Sequence, residues 1–358
     1  MNIIYYSMAN DTPMYTWQQY NFIDELSRHG ISVTVFNPLL YENFDDANNE
    51  LIKQLKKHSY DLFMTSHNEK ILYMDTIEKL HSIGIPMLLI CFDNLLIPFE
   101  HQKVAKEFDV VWLTSKENKN MFDKWGAKTI FLPYAANPYF YRTSNVEEIN
   151  RVVFLGTPYG SRANTINFLL DNDIPVSLFG KTTEASNFHS YTKGFIKTVY
   201  DDIRFPIGRK LLEAAAKQKL MNDTRIITES TNLIVEGFAE EIDAIYSKYA
   251  LSLSSTSARN TGILRHPVPV VNLRSFEIPM SGGIQFCQFN EELSGYFENK
   301  KEIIYYESNE EMVEKAKFYL SEDNKNIRIK IRENARKRAE NEHTWYCRFK
   351  RVFSNLGI

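Results

Sequence analysis

Short apolar runs alternate with amphipathic stretches from the first residues of the chain. Asn2–Ser7 reads as a strand, and Thr16–His29 as a helix stopped by Gly30. Ser32–Phe36 is a second strand. A helical pattern over Asp46–His58 leads into a strand at Asp61–Thr65, and Leu72–Ile83, closed by Gly84, leads into one at Pro86–Phe92. Val110–Leu113 and Thr129–Leu132 are two further strands. Strand, helix and strand at this spacing predict a parallel, doubly wound sheet.

Pro133–Arg142 (PYAANPYFYR) is irregular and carries two prolines, so it reads as a linker. A second series opens at Arg151, with a strand at Val152–Gly156, a helix at Ser161–Asn172 and a strand at Val176–Phe179. Residues 182–232 interrupt the alternation with mostly helical sequence. The pattern resumes at Leu233, with a helix at Glu240–Tyr249, a short strand at Leu251–Leu253 and a helical turn at Phe276–Gly282. Strands at Ile284–Cys287 and Ile303–Tyr305 follow. Helices at Asn309–Leu320 and Ile327–Asn341 precede a final segment, Trp345–Phe353. The expected architecture is α/β: two Rossmann-like doubly wound domains facing a cleft, at 1–142 and 143–345, with residues 346–358 returning toward the first.

Composition narrows the class. The 358 residues are 44% hydrophobic and 24% charged, which fits a packed chain of two domains. A net charge of −3 argues against a nucleic-acid binder, which usually carries a basic domain. Cys91, Cys287 and Cys347 are odd in number and without metal-ligand spacing, as in a reducing compartment. The opening MNIIYYSMAND lacks the basic and apolar regions of a secretory signal, and no apolar run approaches the ~20 residues of a membrane helix. A cytoplasmic location is expected.

Ligands of open parallel sheets bind beyond the C-terminal strand ends, where the strand order reverses. Candidate residues therefore follow strands: Asn10 with Asp11, Ser66 with His67, Asp93 with Asn94, Thr157–Ser161, and Gly180 with Lys181. The most informative stretch is Asn272–Gln288 (NLRSFEIPMSGGIQFCQ). Arg274 and Glu277 stand three apart at the mouth of a helix that ends in Ser281-Gly282-Gly283. A carboxylate there can accept both hydroxyls of a ribose, and a guanidinium suits a diphosphate. Glycines permit a sharp helix-to-strand turn and close approach of backbone to a ligand.

These residues carry a resemblance. Together with Arg151–Arg162 (RVVFLGTPYGSR), Val235–Ser254 (VEGFAEEIDAIYSKYALSLS), Glu298–Glu311 (ENKKEIIYYESNEE) and Glu342–Arg351 (EHTWYCRFKR), the stretch resembles the C-terminal lobe of retaining GT-B glycosyltransferases. Among these it is most similar to the CgeB-like, spore-maturation branch. The resemblance covers residues 151–351 apart from the interruption, and is architectural over 1–140. It implies that Glu277 binds the donor ribose, that Arg274 lies near the diphosphate, and that Gly156 and Arg162 approach the phosphates or the base. Two departures stand out. Many retaining relatives carry a second Glu eight residues before the ribose Glu, where this chain has Pro269; and Asn10-Asp11-Thr12 replaces a Gly-rich turn after the first strand.

The expected activity is transfer of a hexose-like sugar from a nucleotide-sugar, a UDP- or GDP-sugar, in polysaccharide biosynthesis. The acceptor would be a glycan, a lipid-linked glycan or a protein surface. Metal-free enzymes of this fold stabilise the leaving diphosphate with Arg, Lys and helix N-termini, and no Asp-x-Asp dyad stands out, so no cofactor or metal is expected. Arg274, Glu277, His67 and Asp93 are the candidate catalytic residues. Gly156, Arg162, Lys181, Ser281, Gly282, Gly283 and Arg265 are candidates for holding the nucleotide. Each has a structural alternative: a helix-end carboxylate for Glu277, an ion pair for Arg274, a helix cap for Arg162, a solvated cation for Lys181 and Arg265, a buried structural role for His67 and Asp93. The basic segment Lys325–Arg351 reads as a solvated helix face, with peripheral contact to an anionic membrane as the functional alternative. Two rival functions remain open, a nucleotide-sugar epimerase and a non-catalytic nucleotide-sugar-binding protein, because fold does not fix chemistry.

Overall fold

Six strands organise the first unit of the computed structural model, which describes residues 1–144, 147–180, 199–220, 230–237 and 242–358. The strands are β1 (Asn2–Tyr6), β2 (Ser32–Phe36), β3 (Leu62–Thr65), β4 (Met87–Cys91), β5 (Val110–Leu113) and β6 (Thr129–Phe131). They pair in parallel in the order β2-β1-β3-β4-β5-β6. β3, β4 and β5 are continuous apolar runs with no alternation, as expected where helices cover both sides of a parallel sheet. The helix Phe44–Lys57 covers one side through Ala47, Leu51, Ile52 and Leu55, a single stripe at helical spacing. Its Asn43 cap, acidic first turn and basic last turn all suit the helix dipole.

The other side carries an aromatic cluster. Phe22 lies 5.1 Å from Trp345 and 5.2 Å from Phe349 between ring centroids, and Trp112 lies 5.4 Å from Phe349. Trp345 and Phe349 belong to the last helix, Trp345–Leu356, so residues 344–358 complete the first unit with residues 1–137. The helix expected at Thr16–His29 begins earlier, at Pro13, and contains a wide π-type turn over Gln19–Asp24.

Residues 138–343 form the second unit. Its strands are β7 (Ile149–Leu155), β8 (Val176–Phe179), β9 (Leu233–Gly237), β10 (Tyr249–Ser254), β11 (Gln285–Gln288) and β12 (Ile304–Tyr306). They too are parallel, in the order β12-β11-β10-β7-β8-β9. Helices Ser161–Asp171 and Asn309–Leu320 pack on one face through Ile166, Leu169, Met312 and Ala316. Ile245, Tyr246 and Ile278, from the helices Ile242–Lys248 and Arg274–Met280, pack on the other. The chain leaves β7 in one direction along the sheet and reaches β10 on its opposite side, so the strand order reverses between β7 and β10.

One expectation changes here. The basic stretch Lys325–Arg351 is not simply a solvated face. Arg328 is fully buried, pairs with Glu148 and donates to the carbonyls of Tyr319 and Ser321. Arg332 pairs with the second oxygen of Glu148 at 2.7 Å, and Arg348 donates to Pro133 O at 3.0 Å. The spacing 328, 332, 336 is one face of the helix Lys325–Glu342, and that face is turned inward. Of the interruption at 182–232, residues 199–203 and Pro206–Leu220 are helical, and 182–198 and 221–229 lie outside the described residues.

Candidate nucleotide site

The site is built where the strand order of the second unit reverses. β7 ends at Leu155, and Gly156 follows with φ +127°, a conformation that side chains disfavour. Its N–H donates to Phe179 O at 2.8 Å, which ties the ends of β7 and β8 together. A Cβ on Gly180 would sit 2.3 Å from Gly156 O, and a Cβ on Gly156 would sit 2.9 Å from the Arg274 Nη2. The glycines therefore let two strand ends and one guanidinium share a space that a methyl group would fill.

Arg274 opens the helix Arg274–Met280 after β10, and Arg162 lies in the first turn of the helix Ser161–Asp171 after β7. The Arg162 guanidinium stacks 4.4 Å from the Tyr159 ring centroid, and its Nε is buried without a hydrogen-bond partner. Burial holds the Arg162 pKa below the ordinary guanidinium value; the nearby Tyr159 opposes this shift and the positive Arg274 adds to it. Among the described residues neither arginine forms an ion pair with a carboxylate. Two neighbouring cations that form no ion pair among the described residues can accept an anion.

Glu277 is 8% exposed, one turn into the same helix as Arg274. Its Oε1 accepts a 2.6 Å hydrogen bond from the Tyr141 hydroxyl. Burial raises its pKa above the ordinary carboxylate value, while the Tyr141 bond and the Arg274 charge pull it down. Tyr246 is buried beside the pair; burial raises its pKa, and Arg274 and Glu277 act on it in opposite directions. A cavity of about 310 Å³ adjoins Arg162, with Ser254, Ser255, Thr256 and Gln288 in its wall. It opens beyond the C-terminal ends of β7 and β10, where open parallel sheets bind ligands.

The structure thus brings Gly156, Arg162, Arg274 and Glu277 together. Ser281, Gly282 and Gly283 stand at the opposite end of the Arg274–Met280 helix. The Ser281 hydroxyl donates to Glu277 O at 2.8 Å, and Cβ atoms on the two glycines would press on Thr143 and on Tyr246 O. Arg265 is exposed on the loop before that helix, and Lys181 lies outside the described residues. His67 and Asp93 belong to the first unit. His67 Nε2 accepts from Met8 N at 3.1 Å, and burial together with His101 lowers its pKa to about 4, so the ring is neutral at pH 7. Asp93 is exposed at φ +51° and accepts a 3.3 Å bond from the Tyr134 hydroxyl. Sequence reasoning did not single out Tyr141. It stands in the irregular PYFYR stretch, and only contact across 136 positions reveals its role.

Two parallel six-stranded sheets flanked by helices are the fold of GT-B glycosyltransferases. Residues 209–354 match a family model described as glycosyl transferase-like. Among solved structures, Anabaena HepE in complex with UDP-glucose superposes with a TM-score of 0.56 at 13% identity, covering all of this chain and 99% of that one. A glycosyltransferase from Rickettsia africae gives a TM-score of 0.58 at 11% identity over 99% and 97% of the two chains. Sucrose-phosphate synthase from Thermosynechococcus elongatus gives 0.53 at 12% identity over 99% and 98%. No curated protein matches the sequence.

Proposed function

We propose that the chain is a glycosyltransferase that takes a sugar from a nucleoside-diphosphate donor. The observation that carries this reading is the reversal point of the second unit, where the buried Glu277 stands beside Arg274 and Arg162, and neither cation is neutralised by an ion pair among the described residues. A nucleoside diphosphate joins a diol and an anion, the two partners that a carboxylate and guanidinium groups can bind. Glu277 accepts the ribose hydroxyls, and the arginines take the diphosphate. The glycosyl C1–oxygen bond breaks with its electron pair passing to the diphosphate, whose growing charge the arginines stabilise. The acceptor oxygen bonds to C1, and its proton passes to the departing phosphate on the same face, which retains the anomeric configuration. Arginine compensation supports a metal-independent reaction. HepE crystallises with UDP and UDP-glucose, which supports a UDP-sugar donor here. The acceptor class we favour is a glycan or lipid-linked glycan.

Titration calorimetry with UDP, GDP, ADP and dTDP in the presence of EDTA tests the reading. We expect one nucleotide to bind. Arg274→Ala should weaken it by about 100-fold, the scale of removing a charged partner from a buried contact. Equal affinity of Arg274→Ala and wild type would remove the arginine pair from the site.

A further inference from the structure

Glu277 is held from outside its own helix. The hydroxyl of Tyr141, a residue 4% exposed, donates to Oε1 at 2.6 Å, and among the described residues Oε2 makes no hydrogen bond. Tyr141 lies in an irregular segment, where a side chain would ordinarily be a poor support, yet that segment is fixed at several points. Arg336 donates to the carbonyl of Tyr141 and, at 3.2 Å, to that of Pro138. Arg142 Nε donates to Tyr139 O at 2.7 Å, and Arg142 N to Asp243 Oδ2 at 3.4 Å. Thr143 packs against Gly282, beyond the end of the helix that carries Glu277. The bond therefore joins two anchored groups and fixes the plane of the carboxylate.

A carboxylate offers about four lone-pair directions, so one donated bond on Oε1 leaves Oε2 and one direction of Oε1 free. Those two acceptors match the two hydrogens of a vicinal diol. We propose that Tyr141 is the positioning residue for the nucleotide's ribose, its hydroxyl orienting Glu277 to receive the 2′- and 3′-hydroxyls of a nucleoside diphosphate. This rests on the reading of Glu277 as the ribose acceptor. The groups facing Glu277 are Tyr141 from the 138–144 segment, Tyr246 from the Ile242–Lys248 helix and Arg274 from its own helix, with Asp243 acting on Tyr141. Of these, Tyr141 and Arg274 favour the ionised carboxylate and burial opposes it. Loss of the Tyr141 hydroxyl therefore lets Glu277 take up a proton at higher pH, and a protonated carboxyl accepts a diol poorly.

The experiment compares UDP with 2′,3′-dideoxy-UDP by titration calorimetry, across a pH series, on wild type, Tyr141→Phe and Arg336→Gln. UDP should bind Tyr141→Phe about tenfold more weakly than wild type, the scale of one hydrogen bond to a charged group. The deficit should widen as pH falls, and Arg336→Gln should show a smaller deficit of the same pH dependence. Dideoxy-UDP should bind all three proteins alike. UDP affinity unchanged in Tyr141→Phe across the pH series would overturn the proposal, as would an equal deficit for UDP and dideoxy-UDP, which marks a merely structural tyrosine. Wild type binding UDP no better than dideoxy-UDP, or binding neither, would instead overturn the ribose role of Glu277 on which the proposal stands.

Discussion

At the reversal point of the first unit, between β1 and β3, polar groups are matched with one another. Asn37 exchanges two hydrogen bonds with the backbone of Ala9, Thr65 Oγ1 donates to Tyr6 O, and His67 accepts from Met8 N. At the reversal point of the second unit, between β7 and β10, a buried carboxylate accepts from one tyrosine, and the Arg274 guanidinium occupies a space that Gly156 keeps open. The same architecture is closed by internal bonding in one unit and, among the described residues, holds two arginines without an ion pair in the other. Ligand chemistry therefore follows from how a reversal point is furnished, and the topology supplies only the place.

The two units also differ in how they are held. The first rests its C-terminal helix on edge-to-face aromatic rings, and the second holds its long helix Lys325–Glu342 with a buried arginine–carboxylate network. All four tryptophans, Trp17, Trp112, Trp125 and Trp345, lie in the first unit, so intrinsic tryptophan fluorescence reports on that unit alone. Trp345→Ala empties a fully buried site and should cost about 3–5 kcal/mol. The fluorescence transition in urea, followed through the remaining three tryptophans, should move to lower denaturant. Arg328→Ala should cost about 3 kcal/mol, because Glu148 and two buried carbonyls lose a donor. Its effect should fall on the circular-dichroism transition and leave the fluorescence midpoint in place. A fluorescence shift in Arg328→Ala equal to that in Trp345→Ala would show that the units unfold as one, and the contrast would be lost.

Acid and base separate two buried groups of the first unit. Glu25 is 1% exposed and burial raises its pKa to about 7, against the bond from Tyr346 and the charge of Arg28. Its folded value lies above the unfolded one, so stability is full below the ordinary carboxylate range and falls as pH rises through 7. His67 behaves in the opposite way. Its folded value of about 4 lies below the unfolded 6.5, so its contribution is full above 6.5 and is lost as pH falls toward 4. Between these limits the two slopes offset each other. Glu25→Gln should raise the stability of the first unit by about 1–3 kcal/mol above pH 7, where a buried carboxylate is replaced by a neutral amide. It should also expose the acid loss due to His67, as a fluorescence midpoint that declines steadily below pH 6.5. A midpoint independent of pH in the variant would show that His67 titrates as an exposed histidine does.

The alternation of apolar runs and amphipathic stretches was sufficient to read most strands of both sheets, β9 excepted, because a strand covered on both faces is mostly apolar. That Arg274, Glu277 and Gly156 lie near the reversal point could be read from sequence for a related reason: the reversal rule points to the residues after strands. What escaped was contact at long range. Tyr141 reaches Glu277, Arg328 reaches Glu148 and Phe349 reaches Phe22 over separations no local pattern records. The basic run from Lys325 misled because a charged residue at helical spacing looks the same whether its face meets solvent or a set of buried carbonyls.

The helix Pro206–Leu220 is the part of the second unit with no counterpart in the alternation. Lys217 Nζ donates to Ile263 O at 2.7 Å, Lys210 Nζ to His266 O at 3.4 Å, and Asn260 Nδ2 bonds to Gln218. The loop these bonds hold rests on the turn before Arg162. Asn260 fills the space where a Cβ on Gly160 would sit, and a Cβ on Gly262 would lie 2.5 Å from Ser161 Oγ. The added helix thus braces a loop, and the loop braces the glycine turn that sets Arg162. Each lysine bond is exposed and contributes under about 1 kcal/mol. Lys217→Ala should therefore leave the unfolding transitions of both units within error. Its effect should be local: faster hydrogen exchange at the amides of Ile263 and Leu264, which close the short turn Thr261–Ile263. A loop that loosens without loss of global stability should weaken nucleotide binding by about threefold or less, since the anion contacts remain and only their ordering is lost. Unchanged exchange at both amides would mean that the turn holds itself, and the added helix would then have no part in furnishing this reversal point.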